Sequence, residues 1–294
     1  TALPYAQDDW DLPIDRILHT ETPCYYRYGE DGESEEDFAT RLADILDKQI
    51  SEEGPDTVAA FIAEPVMGAG GVMIPPKTYF EKIQKVLKKH SVLFIADEVI
   101  CGFGRTGNMW GCDTFGIKPD LLTCAKQLSS AYLPIGAVML TDPIYQAFVE
   151  NSRKLGVFGT GNTYGGHPVA AAVALETLKI YEDDDILGHV ADVSGHFQER
   201  LAALASHPLV GEARAVGLIG GLELVANKET REQFPPASKA AMVAVEKILG
   251  QNLVLRPLPG DVVGFCPPLI VTEEEIDDIF DRTKRGLDEA QAAL

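Results

Sequence analysis

The chain has 294 residues, 46% of them hydrophobic, enough for a sizeable buried core and for two domains. Against 25 basic residues stand 45 acidic ones, and the formal net charge of −20 argues against nucleic acid or an anionic membrane as a partner and favours solubility. The cysteines Cys24, Cys101, Cys112, Cys124 and Cys266 are odd in number and contain no CxxC pair, and the dispersed histidines show no HExxH spacing, so neither a disulfide framework nor a metal site is expected.

The opening TALPYAQDDWDLP is acidic and unlike a signal peptide, and no apolar run approaches the roughly 20 residues of a membrane span, so a reducing, cytoplasmic setting is expected. Residues 1 to 33 mix aromatics, prolines and acids without a sustained period and read as loop. Ser34 stands three before Asp37, and Phe38, Leu42, Ile45 and Leu46 recur at helical spacing, which predicts a capped helix to about Ser51. Gly54-Pro55 stops it, and Val58 to Ala63 reads as a strand that delivers Glu64-Pro65 at its carboxyl end. Pro75-Pro76 marks the next helix start, Tyr79, Phe80, Ile83, Val86 and Leu87 form its apolar stripe, and Lys88, Lys89 and His90 suit its C-terminal dipole.

Two short apolar runs follow. Val92 to Ala96 ends on Asp97 and Glu98, and Leu121 to Ala125 ends on Lys126. The strand, helix, strand order predicts parallel pairing in a sheet covered on both sides. Between the runs Gly102, Gly104 and Gly107 spell GxGxxG, with Asp120 near the distance of a dinucleotide site's acid. Such a site needs a helix that begins inside the glycine turn, whereas NMWGCDTFGIKP carries two more glycines, Pro119 and no helical apolar period; a nicotinamide site is rejected. Arg105 in this loop reads as a salt-bridging residue that fixes the loop rather than as a substrate contact.

Tyr132 to Leu140 reads as turn then strand, Pro143 to Asn151 as a short helix, GTGNTYGGHP as a small-residue loop, and the run from Pro168 as a long alanine-rich helix. The acids Glu182 to Asp185 mark a composition shift, which divides the chain into residues 1–181 and a smaller domain, 182–294. In the latter Ile186 to Leu204, Ala237 to Leu249 and Glu273 to Ala293 read as helices, and Val216 to Val225, Leu253 to Leu255 and Val262 to Phe265 as strands. The fold class expected is α/β, a mostly parallel sheet sandwiched by helices, with a smaller carboxyl-terminal α+β domain.

In an open α/β sheet ligands sit beyond the carboxyl ends of the strands, so Asp97 and Lys126 are expected to face one pocket. An amine that attacks carbonyls needs a lowered pKa, which burial supplies, and pyridoxal phosphate enzymes add an acid for the pyridinium nitrogen. On spacing alone a buried ion pair, or an exposed strand-end lysine, stays open as the alternative.

The blocks EPVMGAGGVMIPPKTYF, FIADEVICGFGRTG, PDLLTCAKQ, YLPIGAV and GTGNTYGGHPVAAAVALETL occur in this order. Together they closely resemble the class III, fold-type I pyridoxal-phosphate-dependent aminotransferases. The resemblance implies that Lys126 forms the Schiff base with pyridoxal 5'-phosphate, Asp97 pairs with the pyridine nitrogen, Val99 packs on the ring, and Thr163 binds the phosphate from the neighbouring subunit of a homodimer with shared active sites. It implies an amine donor and a keto-acid acceptor as substrates. Ornithine-type members carry a glutamate and a glutamine where this chain has Ala69 and Ile100. DEVICGFGRTGNMWGC and VLRPLPGD are instead similar to the pyruvate-dependent amine and omega-amino-acid transaminases, in which an arginine matching Arg256 binds a carboxylate and swings out to admit an apolar group. The family's amino-terminal segment, with its phosphate-gripping loop and ring-stacking aromatic, has no counterpart here. A decarboxylase or aminomutase that uses the same cofactor, or a truncated non-catalytic scaffold, are the alternative readings.

Overall fold

The computed structural model describes Gln7 and residues 9–294. The chain forms two compact units, residues 1–59 with 75–92 and residues 60–74 with 93–294.

The first unit is built on a pair of amphipathic helices. Helix α1 (Glu35–Glu53) starts where the sequence predicts, with the Ser34 hydroxyl accepting from the Asp37 N–H, and it runs two residues past the expected end before Gly54 adopts φ +89°. Helix α2 (Tyr79–His90) begins three residues after Pro75-Pro76. Phe38, Leu42, Leu46 and Ile50 of α1 and Phe80, Ile83 and Leu87 of α2 are the buried stripe. Along the rim, Lys89 Nζ lies 2.7 Å from Asp47 and Lys82 Nζ 3.3 Å from Glu36.

The second unit contains two sheets. The first has the order β1 (Ala60–Ala63), β2 (Leu93–Asp97), β3 (Leu121–Cys124), β4 (Ala137–Leu140). Strands β1, β2 and β3 are mutually parallel, with Ala63 opposite Ala96, as the strand, helix, strand order predicts, and Asp97 opposite Thr123. Strand β4 is antiparallel to β3. Coverage on both faces, expected from the apolar runs, is not met: Ile62 is 56% exposed and all four residues of β4 are exposed. Apolar content predicts that a strand will be covered, not that this chain alone covers it.

A five-residue helix, α3 (Gly111–Phe115), lies in the NMWGCDTFGIKP stretch, too short to show a period. No helix begins inside the Gly102 to Gly107 turn. Helix α4 (Asp142–Leu155) exceeds the nine residues expected, and α5 (Pro168–Asp183) matches the alanine-rich run. Helix α6 (Ile186–Ala203) follows, capped by Asp185.

The second sheet is antiparallel, built from β5 (Val210–Val216), β6 (Ile219–Leu224), β7 (Arg256–Leu258) and β8 (Val262–Phe265) in the order β5-β6-β8-β7. The single strand expected over Val216 to Val225 is therefore the turn and second arm of a hairpin. Gly217 makes that turn at φ +54°, and a Cβ there would stand 2.4 Å from the Thr106 backbone. Strand β7 lies three residues beyond the expected Leu253 to Leu255, because Asn252 first turns the chain through φ +60°. Helices α7 (Ala240–Gly250) and α8 (Glu273–Gln291) complete the unit, α8 starting in a Thr272/Glu275 capping box. Phe280 of α8 stacks between Phe197 and Phe265, each 5.3 Å away centroid to centroid. Among the described residues no helix is long and apolar enough to cross a membrane.

Candidate active site

Three parallel strands end side by side, and each delivers an ionisable side chain at or just past its carboxyl end: Glu64 after β1, Asp97 closing β2, and Lys126 two residues past β3. The register that sets Ala63 beside Ala96, carried one step on, brings Glu64 abreast of Asp97 and on the same face, because side chains alternate along a strand. Thr123 continues the row, its hydroxyl 3.4 Å from Asp97 Oδ1.

Asp97 is held by one oxygen only. Oδ1 accepts from the Val99 N–H at 3.1 Å and from Thr123, while Oδ2 makes no hydrogen bond among the described residues. This fixes the carboxylate and leaves an acceptor outward. Val99, expected near Asp97 from the sequence, is thereby tied to it through its backbone.

Lys126 opens a short turn with φ +44°, a left-handed value that a lysine seldom adopts, and Ser130 and Ala131 share the region at +46° and +61°. The side chain is exposed rather than set in the apolar surroundings expected of it, since it lies past the strand end. Its amine makes no ion pair or hydrogen bond among the described residues.

Glu64 is the residue that the sequence reading leaves without a role. Its Oε2 accepts from the Gly68 N–H at 3.0 Å, and the side chain is half-buried. Burial pushes its carboxyl above the ordinary glutamate range; the Gly68 N–H opposes this, the Asp97 charge adds to it, and the Lys126 charge opposes it. The charges of Asp97 and Lys126 thus both reach Glu64. The signal was present in the sequence as two apolar runs ending in acids, which parallel pairing sets side by side.

The other acid of the pair, Glu98, points elsewhere. It is buried, and its carboxylate accepts from the Gly111 N–H at 2.9 Å and the Cys112 N–H at 2.6 Å, at the start of α3. Burial raises its pKa, against the pull of these donors.

The glycine loop is fixed from within the unit. Arg105 is 4% exposed, and its Nη1 donates to the Leu218 carbonyl at 2.9 Å and the Pro267 carbonyl at 2.6 Å. Backbone carbonyls replace the carboxylate partner expected from the sequence; the loop-fixing part of the reading holds. The Tyr181 hydroxyl donates to the Phe103 carbonyl at 2.9 Å from α5.

Arg256 is exposed on β7, opposite Gly264, and Thr163 is exposed in the loop between α4 and α5. No contact among the described residues joins either to Asp97 or Lys126. The strand of Arg256 is nonetheless anchored beside the Glu64 loop: Leu258 packs on the cluster of Val66, Val72, Cys101 and Ile219, and Gly71 lies so close to the Pro259 carbonyl that a Cβ on it would be 3.2 Å away.

The sequence pattern described as "Aminotransferase class-III" matches residues 7–287. The "Probable gamma-aminobutyrate transaminase 4" of Oryza sativa subsp. japonica is 49% identical over all of this chain and 62% of its own length. The "Gamma aminobutyrate transaminase 3, chloroplastic" of Solanum lycopersicum is 47% identical over 99% of this chain and 56% of its own length. The chain thus spans little more than half the length of these curated relatives. Among solved structures, one titled "Transaminase with L-ala" superposes with a TM-score of 0.97 at 52% identity, over all of this chain and 69% of its own. The omega transaminase from Pseudomonas jessenii in complex with PMP gives 0.97 at 47% identity, over 100% and 64%. With an α/β fold, three strand-end groups and a pattern match over nearly its whole length, the chain belongs to the class-III aminotransferase family.

Proposed function

We propose that this chain carries the carboxyl-terminal part of a pyridoxal-phosphate-dependent transaminase that moves an amino group from an amine or omega-amino acid to a keto acid such as pyruvate. The observation that carries the reading is the pairing of two unengaged groups, the Lys126 amine and Asp97 Oδ2, at the carboxyl ends of adjacent parallel strands. They fit the cofactor: one is an amine free to meet its aldehyde, the other an acceptor free to meet its ring N–H.

Bound pyridoxal phosphate supplies an aldehyde that takes up amines and a ring that draws off negative charge. The work of the protein is then to bind, orient and move protons. Lys126 would hold the cofactor through its aldehyde and would serve as general base and acid for a substrate proton. Asp97 would hold a proton on the ring nitrogen by its fixed negative charge, and Val99 would offer an apolar side chain to the ring. Thr163 supplies a hydroxyl for the phosphate across a homodimer interface, and the Arg256 guanidinium offers bidentate recognition of a substrate carboxylate.

Support for the donor class comes from the relatives, which are named for gamma-aminobutyrate and as omega transaminases. The homodimer reading has support in the exposed side chains of Tyr145, Phe148, Val157, Phe158, Tyr164 and Leu175, an apolar surface of the kind that marks subunit contacts. The second sheet, built wholly from residues after 182, supports a smaller domain at 182–294 beside residues 1–181, part of the cofactor-binding domain, although both sheets lie in one compact unit.

The test is amino transfer from an omega-amino acid to pyruvate by the purified chain supplied with pyridoxal phosphate. Turnover that disappears in Lys126→Ala supports the reading. Undiminished turnover in that variant sinks it, and carbon dioxide release without alanine formation would favour a decarboxylase.

A further inference from the structure

Glu64 has no role in the site as proposed above, yet β1 and β2 set it abreast of Asp97 on the same face. The Gly68 N–H holds one of its oxygens at 3.0 Å, so the carboxyl cannot swing away without giving up that bond. Two acids held side by side at strand ends, with a lysine beyond the third strand, form a charge group of defined sign. We propose that Glu64 is a positioning residue of this site, a second carboxylate beside Asp97 whose negative charge faces Lys126 and reinforces the field that Asp97 sets at the strand tips. The inference rests on the reading of Asp97 and Lys126 as the cofactor-holding pair.

The physical consequence follows from the signs. A lone carboxylate keeps a ring nitrogen protonated by its own potential; a second one beside it deepens that potential and favours the protonated nitrogen further. The same charge draws the Lys126 side chain toward the strand ends, where its exposed stem otherwise has no partner. The ionisable groups that meet Glu64 are Asp97 from β2, Lys126 from the turn after β3, and the Cys101 thiol from the glycine loop. The Gly68 N–H is its neutral partner. Burial and Asp97 both favour the protonated form of Glu64, so its charge is lost at a higher pH than that of an ordinary glutamate. Its contribution therefore fades on acidification, and does so at a higher pH than that of an ordinary glutamate would.

The test uses the whole chain with glutamate labelled at the side-chain carboxyl carbon, titrated by NMR, with Glu64→Gln identifying the resonance. Asp97→Asn should move the Glu64 midpoint down by roughly half to one pH unit, and Lys126→Met should move it up by a few tenths. Opposed shifts cannot come from a general loosening of the fold; a midpoint that moves in neither variant, or in the same direction in both, overturns the proposal. A second measurement follows pyridoxal phosphate affinity against pH. Wild type should lose affinity as pH falls through the Glu64 midpoint, and Glu64→Gln should bind roughly three- to tenfold more weakly at pH 8 with no change across that window. Identical affinities and profiles overturn the proposal. Should no protein bind pyridoxal phosphate, the cofactor reading fails, and the NMR shifts decide the role of Glu64 by themselves.

Discussion

At the scale of single residues, the site is a matter of which polar atoms are used and which are spared. Asp97 spends one oxygen on Val99 and Thr123 and keeps the other, whereas its neighbour Glu98 spends both on the start of α3. Two adjacent acids thus part into one with an oxygen to spare and one wholly committed to backbone, and the difference is the alternation of side chains along an extended chain. Arg105 shows the same economy from the other side: buried, it turns its Nη1 to two carbonyls that hold the glycine loop. Arg256 is the opposite case, exposed on a short edge strand whose anchoring comes from Leu258 two residues on. Arg256→Ala is expected to raise KM for pyruvate by roughly tenfold or more, the worth of a charge-assisted bidentate contact, while KM for an uncharged amine donor changes little. Steady-state kinetics with both substrates decide this, and equal effects on the two would remove Arg256 from carboxylate recognition.

At the scale of elements, local residue patterns are enough to specify what local physics controls. The Ser34 cap, the stripe of α2, the alanine-rich α5 and the helix from Glu273 each stand where residue spacing puts them, because a helix is specified by neighbours three and four apart. Parallel pairing of β1 and β2 was legible from element order alone. What was not legible depended on contacts distant in sequence. The hairpin of β5 and β6 was hidden because Glu212 and Arg214 break the apolar pattern of β5, and only the fold shows Arg214 paired with Glu223 across the sheet and donating to the Gly71 and Val72 carbonyls. Glu64 went unassigned for a related reason: its partner lies on another strand. The α1–α2 pair provides a direct check on one such distant contact. Lys89 and His90 hold Asp47 below the ordinary aspartate range, so the stabilisation is fully present above about pH 4 and is lost as pH falls through the lowered value. Asp47→Asn should therefore cost roughly 0.5 to 1 kcal/mol in urea unfolding at pH 7, an amount kept small by the exposure of the pair, and the gap from wild type should narrow progressively as pH falls below the ordinary aspartate range. A gap that persists or widens on acidification would show that the pair is not the source.

At the scale of the whole molecule, the chain presents more apolar surface than a self-sufficient soluble protein usually leaves open. Strand β4, Tyr145 and Phe148 of α4, and Leu175 of α5 are exposed together with Tyr164 in the intervening loop. A net charge of −20 keeps such a chain soluble without covering that surface. Sedimentation velocity is expected to show a dimer, and Phe148→Asp to shift the population toward monomer; a monomeric wild type at tens of micromolar would contradict the shared-site arrangement. Beneath these predictions lies one claim, that the chemistry is organised by an amine and a carboxylate at the tips of β3 and β2. The direct measurement is to incubate the purified chain with pyridoxal phosphate, reduce with borohydride, and locate the modified residue by peptide mass spectrometry. The account expects an absorbance band near the visible edge that reduction abolishes, with the label on Lys126 and a much weaker yield in Asp97→Asn. Label spread over surface lysines, or a yield on Lys126 indifferent to Asp97, would contradict it.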